Sequence, residues 1–128
     1  MSHMEAASRF FKVATVQNVL NLMERKHEPV PDHCEKNGIG FIPWSPLAVG
    51  DLARPGSVPE TLRSKYGVSA DQLAFAWLVK QSPVIIPIPG TASDQHFAEN
   101  VAAANISLSG EDFEMRGDAG AAKTAARG

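Results

Sequence analysis

Chemistry in this chain would have to come from a small set of side chains and exposed backbone groups. Residues 83–100, PVIIPIPGTASDQHFAEN, read as an apolar strand, a glycine turn and a helix. Val84, Ile85, Ile86 and Ile88 carry the apolar run, a pattern that suits a parallel strand covered on both faces. Pro89, Gly90 and Thr91 stop it, and Ser93 is placed to cap the helix by accepting a first-turn amide. A glycine lets a ligand come close to the backbone, and the first amides of a helix point outward, unpaired and partly positive. Such a junction can hold an anion, most often a phosphate. By itself the pattern is weak, because many strand-to-helix turns carry a glycine and bind nothing.

Other chemistries fail on spacing. His33 and Cys34 are adjacent, so their side chains point apart, and no second pair has metal-ligand spacing. Gly38-Ile39-Gly40 lies before and inside a strand, which excludes a dinucleotide fingerprint. Chain order supports no Ser/His/Asp or Cys/His arrangement. Asn105-Ile106-Ser107 matches a glycosylation acceptor, but no secretory signal accompanies it. Arg116-Gly117-Asp118 reads as a helix stop rather than an adhesion tripeptide.

These residues must be positioned by regular elements. Residues 5–11 read as the tail of a helix or a frayed lead-in. Residues 12–17, KVATVQ, are apolar and β-branched and predict a strand, which Gln17 and Asn18 end. Residues 21–27 form a charged connector. Pro29 and Pro31 suit a helix start, residues 32–36 the helix, and Asn37-Gly38 its left-handed close. Residues 39–43, IGFIP, predict a second strand that runs into Trp44-Ser45-Pro46-Leu47-Ala48. Residues 54–57 are a Pro/Gly loop, and residues 59–66 a helix ended by Gly67. Ser69-Ala70-Asp71-Gln72 has the spacing of a capping box and opens a helix to about Lys80. Its run from Leu73 to Val79 is apolar enough to demand packing between other elements. After the third strand, Phe97, Val101 and Ala104 form the inward stripe of the next helix. Ser109 and Asp112 begin a last helix that Gly117 ends. The order β-α-β-α-β-α means parallel strands with right-handed crossovers, and the loops after the strands share one rim. Pro83, Pro87 and Pro89 sit badly in a central strand, since proline removes a ladder donor.

Composition sets the outer limits. The 128 residues suffice for one domain with a real core, and 44% hydrophobic with 20% charged residues is ordinary for a globular chain. A net charge of −2 argues against nucleic acid or a membrane surface, both of which need a concentrated basic face. No apolar run approaches the length of a membrane span. The single cysteine, Cys34, rules out an internal disulfide and, with no signal peptide, predicts a cytoplasmic location. Residues 1–4 read as a cloning scar. Residues 117–128, rich in Ala, Gly, Lys and Arg, are expected to be disordered.

Four blocks then become recognisable in order and spacing: TVQN at 15–18, GIGFIPWSPLAVG at 38–50, GVSADQLAFAWLVKQ at 67–81 and IPIPGTASDQHFAENVAAA at 86–104. Together they resemble the C-terminal part of the aldo-keto reductases, from residue 12 to about 115. Members of that family are (β/α)8 barrels that reduce carbonyls with NADPH. The resemblance implies an α/β chain forming a partial TIM-type barrel over residues 5–116, its last three βα units (6 to 8). It also implies roles. Gln17 matches the glutamine that hydrogen-bonds the nicotinamide carboxamide, and Trp44 the aromatic that stacks on the nicotinamide. Ser45, Leu47 and Ala48 match the pyrophosphate loop, and Gly90 and Thr91 the turn that meets the adenosine 2′-phosphate. Glu99 and Asn100 match the pair that binds adenine. Ala92 and His96 depart from the family: many relatives have arginine at the first position, and arginine or glutamine at the second. The choice of NADP over NAD therefore stays open, His96 adding charge there only when protonated.

The larger departure concerns catalysis. The family's tetrad of Asp, Tyr, Lys and His sits on earlier βα units, its tyrosine giving a proton to the carbonyl oxygen as hydride arrives. The only tyrosine here is Tyr66, in a helix and in the wrong block. The expectation is a nucleotide-holding half without its proton-delivering half, inactive alone. The rivals are an active reductase completed by assembly with missing elements, and a non-enzymatic interaction module. Cutting three strands from a closed barrel exposes two edges, and side chains such as Val16, Phe41 or Ile42, and Ile86 would face water. Self-association of copies through those edges is the expected consequence.

Overall fold

In a computed structural model, residues 2–22, 26–27, 29–44, 58 and 60–114 are described. The first described element is helix α1 (Ser2–Ser8). Strand β1 (Thr15–Val19), helix α2 (Pro29–Lys36) and strand β2 (Gly40–Trp44) follow. Helices α3 (Glu60–Tyr66), α4 (Ala70–Gln81), α5 (Asp94–Ala102) and α6 (Gly110–Glu114) complete it, with a 3-10 turn at Ala103–Asn105. The helix ends are where local chemistry puts them. Gly38 and Gly67 stop α2 and α3 at φ of 62° and 64°, a region other residues enter at a cost. Ser69 and Gln72 form the full capping box of α4, each satisfying the other's backbone amide.

β1 and β2 are parallel, Thr15 beside Gly40 through Val19 beside Trp44. The third segment also runs parallel, but the expected strand at 84–88 reduces to one bridge, Ile85 beside Phe41. The Phe41 amide donates to the Val84 carbonyl and the Ile86 amide to the Phe41 carbonyl, both at 2.8 Å. Beyond Ile86 the ladder stops, because Pro43, the next residue of β2 on the side of the third segment, has no N–H to give the Ile86 carbonyl. The expectation of a strand covered on both faces is likewise corrected: Ile86 is 51% and Ile88 49% exposed.

Among the described residues the helices cover one side of the sheet. Phe41 and Pro43 are fully buried on that side, among Leu20, Cys34, Leu78 and the buried run Leu73–Leu78 of α4. Trp77 lies inside it, stacked on Phe113 with ring centroids 6.0 Å apart, its indole N–H donating to the Phe113 carbonyl at 3.2 Å. Val16, the register partner of Phe41, also packs against this core. The expectation that Val16 faces water is therefore overturned, and between Phe41 and Ile42 it is Ile42 that turns away from the helices. Side chains alternate along a strand, so Gly40, Ile42 and Trp44 share the opposite face with their partners Thr15, Gln17 and Val19. Ile86 joins them: a Cβ on Gly40 would lie 3.2 Å from Thr15 Cγ2 and 3.4 Å from Ile86 Cδ1.

The stripe of α5 needs a correction too. Phe97 and Val101 are 62% and 57% exposed and Ala104 is exposed as well. They line an apolar cleft with Phe75 and Val79 of α4 and with Pro87 and Pro89, and the third segment has no neighbouring strand beyond it among the described residues. The loop at 54–57, the end of the last helix at Gly117 and the tail at 117–128 lie outside the described residues.

Candidate functional site

Parallel segments end on the same side, so the chain ends of β1, β2 and the third segment form one rim. Asn18 bends back at the end of β1, its side-chain oxygen accepting from the Val19 amide at 2.8 Å. Gln17 is exposed on the open face of the sheet, and Trp44, at the last position of β2, is 49% exposed there. An aromatic ring with half its surface free, beside an amide side chain one strand away, can stack on a flat polar ring and hydrogen-bond its edge. Ser45, Leu47 and Ala48 lie outside the described residues.

The turn at Gly90 connects the third segment to α5. A Cβ added at Gly90 would meet nothing within 4 Å, so space rather than backbone strain distinguishes this position. The Thr91 hydroxyl accepts from the Ser93 amide at 3.1 Å, and the Ser93 hydroxyl caps α5 by accepting from the His96 amide at 3.3 Å. His96, Glu99 and Asn100 follow at helical spacing and share a side of α5. Glu99 is already engaged: its carboxylate accepts from Gln95 at 2.9 Å and its carbonyl from Gln72 at 3.2 Å. The junction leaves an exposed hydroxyl and helix amides toward solvent, but Asp94 in the first turn adds a negative charge that opposes an anion there. Gly90, Thr91, His96, Glu99 and Asn100 are thus brought together on one turn and helix, and Gln17 and Trp44 on one sheet face.

Sequence reasoning missed one polar cluster. Asp112, buried at the start of α6, accepts from Lys65 Nζ at 2.7 Å, the Tyr66 hydroxyl at 2.5 Å and the Ser109 hydroxyl at 2.7 Å. Ser109 Oγ also accepts from the Asp112 amide and the Tyr66 oxygen from the Ser109 amide, each at 3.1 Å. The hydrogen bonds from Lys65, Tyr66 and Ser109 hold the Asp112 carboxyl down at about 2. The Lys65 ammonium is pushed up, chiefly by its hydrogen bond to Asp112. Asp, Tyr and Lys could serve a proton relay, but the hydroxyl of this tyrosine donates its hydrogen bond to a buried carboxylate in the helix layer. The cluster is a clamp between α3 and α6. Its partners are far apart in sequence, so only the Ser109–Asp112 helix start carried a local signal.

Cys34 is buried in α2, and burial raises its thiol pKa, as an unreactive core cysteine requires. Among the described residues no group of His, Cys, Asp or Glu could hold a metal ion, and no helix is long and apolar enough to cross a membrane.

Comparison with known proteins adds independent findings. Residues 1–117 match the model of the Aldo/keto reductase family. The chain is 45% identical over 121 residues to an uncharacterized oxidoreductase of Schizosaccharomyces pombe, covering 94% of this chain and 40% of that protein. It is 34% identical to pyridoxine 4-dehydrogenase of Escherichia coli, covering 82% of this chain and 36% of that one. Its fold superposes on an aldo-keto reductase of Klebsiella pneumoniae in complex with NADPH at a TM-score of 0.77, with 28% identity, over 88% of this chain and 42% of that one. A second Klebsiella pneumoniae structure, with NADP and acetate, gives the same TM-score of 0.77 at 29% identity, covering 88% of this chain and 42% of that one. The chain therefore spans about two fifths of the length of the relatives it matches.

Proposed function

The chain belongs to the aldo/keto reductase family, its fold part of a (β/α) barrel, and on that premise we propose that it is the nucleotide-holding portion of an NADP-dependent reductase, the C-terminal βα units, without turnover of its own. The observation that carries this reading is the rim: three parallel segments end side by side with Trp44 and the Gly90–Thr91 turn at their chain ends. Neighbours of the same fold are solved with NADP or NADPH.

On this reading the half-exposed Trp44 stacks on the nicotinamide and Gln17 bonds its carboxamide. Gly90 and Thr91 lie against the 2′-phosphate, where the open space at Gly90 admits it, and His96, Glu99 and Asn100 face the adenosine end. The nucleotide would supply the hydride. The chain supplies orientation: a ring face that shields one side of the nicotinamide, and polar groups that fix both ends. It contributes no matched proton donor, since Tyr66 is committed to Asp112. The single cysteine is buried and unpaired, which agrees with a reducing cytoplasm.

The test is a titration with NADPH and NADP, followed by nucleotide and tryptophan fluorescence, together with an assay of NADPH oxidation by an aromatic aldehyde. Binding that is lost in Trp44→Ala, without oxidation, is the expected result. Oxidation by the purified chain would replace this reading with that of a complete enzyme assembled from several copies. No fluorescence change with either nucleotide would leave an interaction module.

A further inference from the structure

The two edges of the sheet are chemically unequal. On β1 the Ala14 carbonyl accepts from the Gly40 amide at 2.9 Å, so alternation turns residues 14, 16 and 18 toward β2 and residues 15, 17 and 19 outward. The Val19 amide is taken by Asn18, but Thr15 and Gln17 keep both an outward N–H and an outward C=O, with no strand beside them among the described residues. On the third segment the same alternation turns residues 85, 87 and 89 outward. There the Ile85 amide is given to the Ser82 carbonyl at 3.2 Å, and Pro87 and Pro89 have none. One edge can donate and accept, while the other can only accept.

A strand edge invites another strand unless proline, charge or a bulge blunts it. The third segment is blunted by proline. β1, with the sequence TVQNV, carries no proline, glycine or charge. Head-to-tail growth, the β1 edge of one copy on the third segment of the next, lacks donors on one side. Joining β1 to β1 lacks nothing, and it closes after two copies. We propose that a second copy of this chain pairs antiparallel along β1, with Thr15 of each copy opposite Gln17 of the other, each such pair exchanging N–H and C=O. This makes specific the self-association expected of the open barrel piece, and it rests on the partial-barrel fold rather than on nucleotide binding. It is therefore tested without nucleotide.

The experiment is light scattering across a concentration series on the whole chain, with hydrogen exchange read at β1. The expected result is a monomer–dimer equilibrium in which the Thr15 and Gln17 amides become protected as the dimer fills. Thr15→Pro removes an outward N–H that the β1–β2 ladder does not use, and Gln17→Lys places like charges across the two-fold axis. Both variants should keep the far-ultraviolet spectrum of the parent and weaken the dimer by about tenfold or more, as the loss of two neutral hydrogen bonds predicts for the first. Added salt should restore part of the Gln17→Lys dimer and none of the Thr15→Pro dimer. A monomer at every concentration, a dimer indifferent to both variants, or protection that appears at residues 84–89 instead of β1 would each overturn the proposal. The exchange measurement on the parent chain decides the matter even if a variant unfolds.

Discussion

β2 has two faces, and they belong to different kinds of protein. Phe41 and Pro43 are fully buried under the helices, whereas Trp44, and Ile86 on the third segment, are about half exposed on the other side. Nothing in the residue types separates the two sets, since both are large and apolar. What separates them is cover. The helix side holds a finished core, with α4 buried from Leu73 to Leu78. The open side carries Gln17 and Trp44, where the nicotinamide contacts are proposed. The helix side therefore sets stability, and the open side is left for binding.

The largest effect should come from exchanging the two faces in a stability experiment. Phe41→Ala deletes a buried ring and is expected to cost about 3–5 kcal/mol, a large share of the roughly 5–15 kcal/mol a small domain possesses. Trp44→Ala removes a larger ring yet should shift the unfolding free energy by no more than about 0.5 kcal/mol, since it is half in water already. Urea midpoints of the two variants measure the contrast directly. Equal losses would mean that the open face is packed in solution, and would break the comparison.

The helix side also predicts a response to acid. Asp112 is held at about 2 against an ordinary 3.8, so the folded state binds its proton less readily than the unfolded chain does. The stability this provides is complete above about pH 4 and is lost as the pH falls toward 2. Melting temperatures across that window should fall more steeply in the parent than in Asp112→Asn, which is less stable at neutral pH but flatter in acid. Lys65, raised by the same contact, contributes in the opposite direction: its share is present below its unfolded value and fades as the pH climbs past the folded one. The open face has no such clamp among the described residues.

How much of this was legible in the sequence depended on how local the signal was. The capping box at Ser69 and Gln72, the left-handed stops at Gly38 and Gly67, and the cap at Ser93 each depend on neighbours a few residues away, and all were readable. The prolines at 87 and 89 strip donors from the outer edge of the third segment, whereas Pro43 of β2, which carries no such signal by itself, ends its ladder. The exposure of Phe97 and Val101 was not readable, because helical spacing shows that a face is apolar, not whether anything lies over it. The face of Val16 is not readable from residues 12–17, which do not reveal the neighbour it meets; its register beside Phe41 does. For the site, spacing marked Gly90 as a turn, but the roles of Gln17, Trp44, Glu99 and Asn100 came from resemblance alone. The Asp112 clamp joins elements far apart in the chain, and no pattern within either predicts it.

The smallest expected effect divides the molecule along the same line. Ser69 and Ser93 each cap a helix with the same chemistry, an oxygen accepting a first-turn amide at 3.2 Å and 3.3 Å. Removing such a cap typically costs about 1 kcal/mol of helix stability. α4 cannot fray without opening the core, so Ser69→Ala should lower the global unfolding free energy by that amount. α5 buries none of its residues, so its first turn can open while the rest of the chain stays folded. Ser93→Ala should therefore leave the global midpoint nearly unchanged and instead speed amide exchange at His96 and Phe97. If the two caps proved equal in the global measurement, α5 would have to be held by a surface its apolar face does not meet in a single copy.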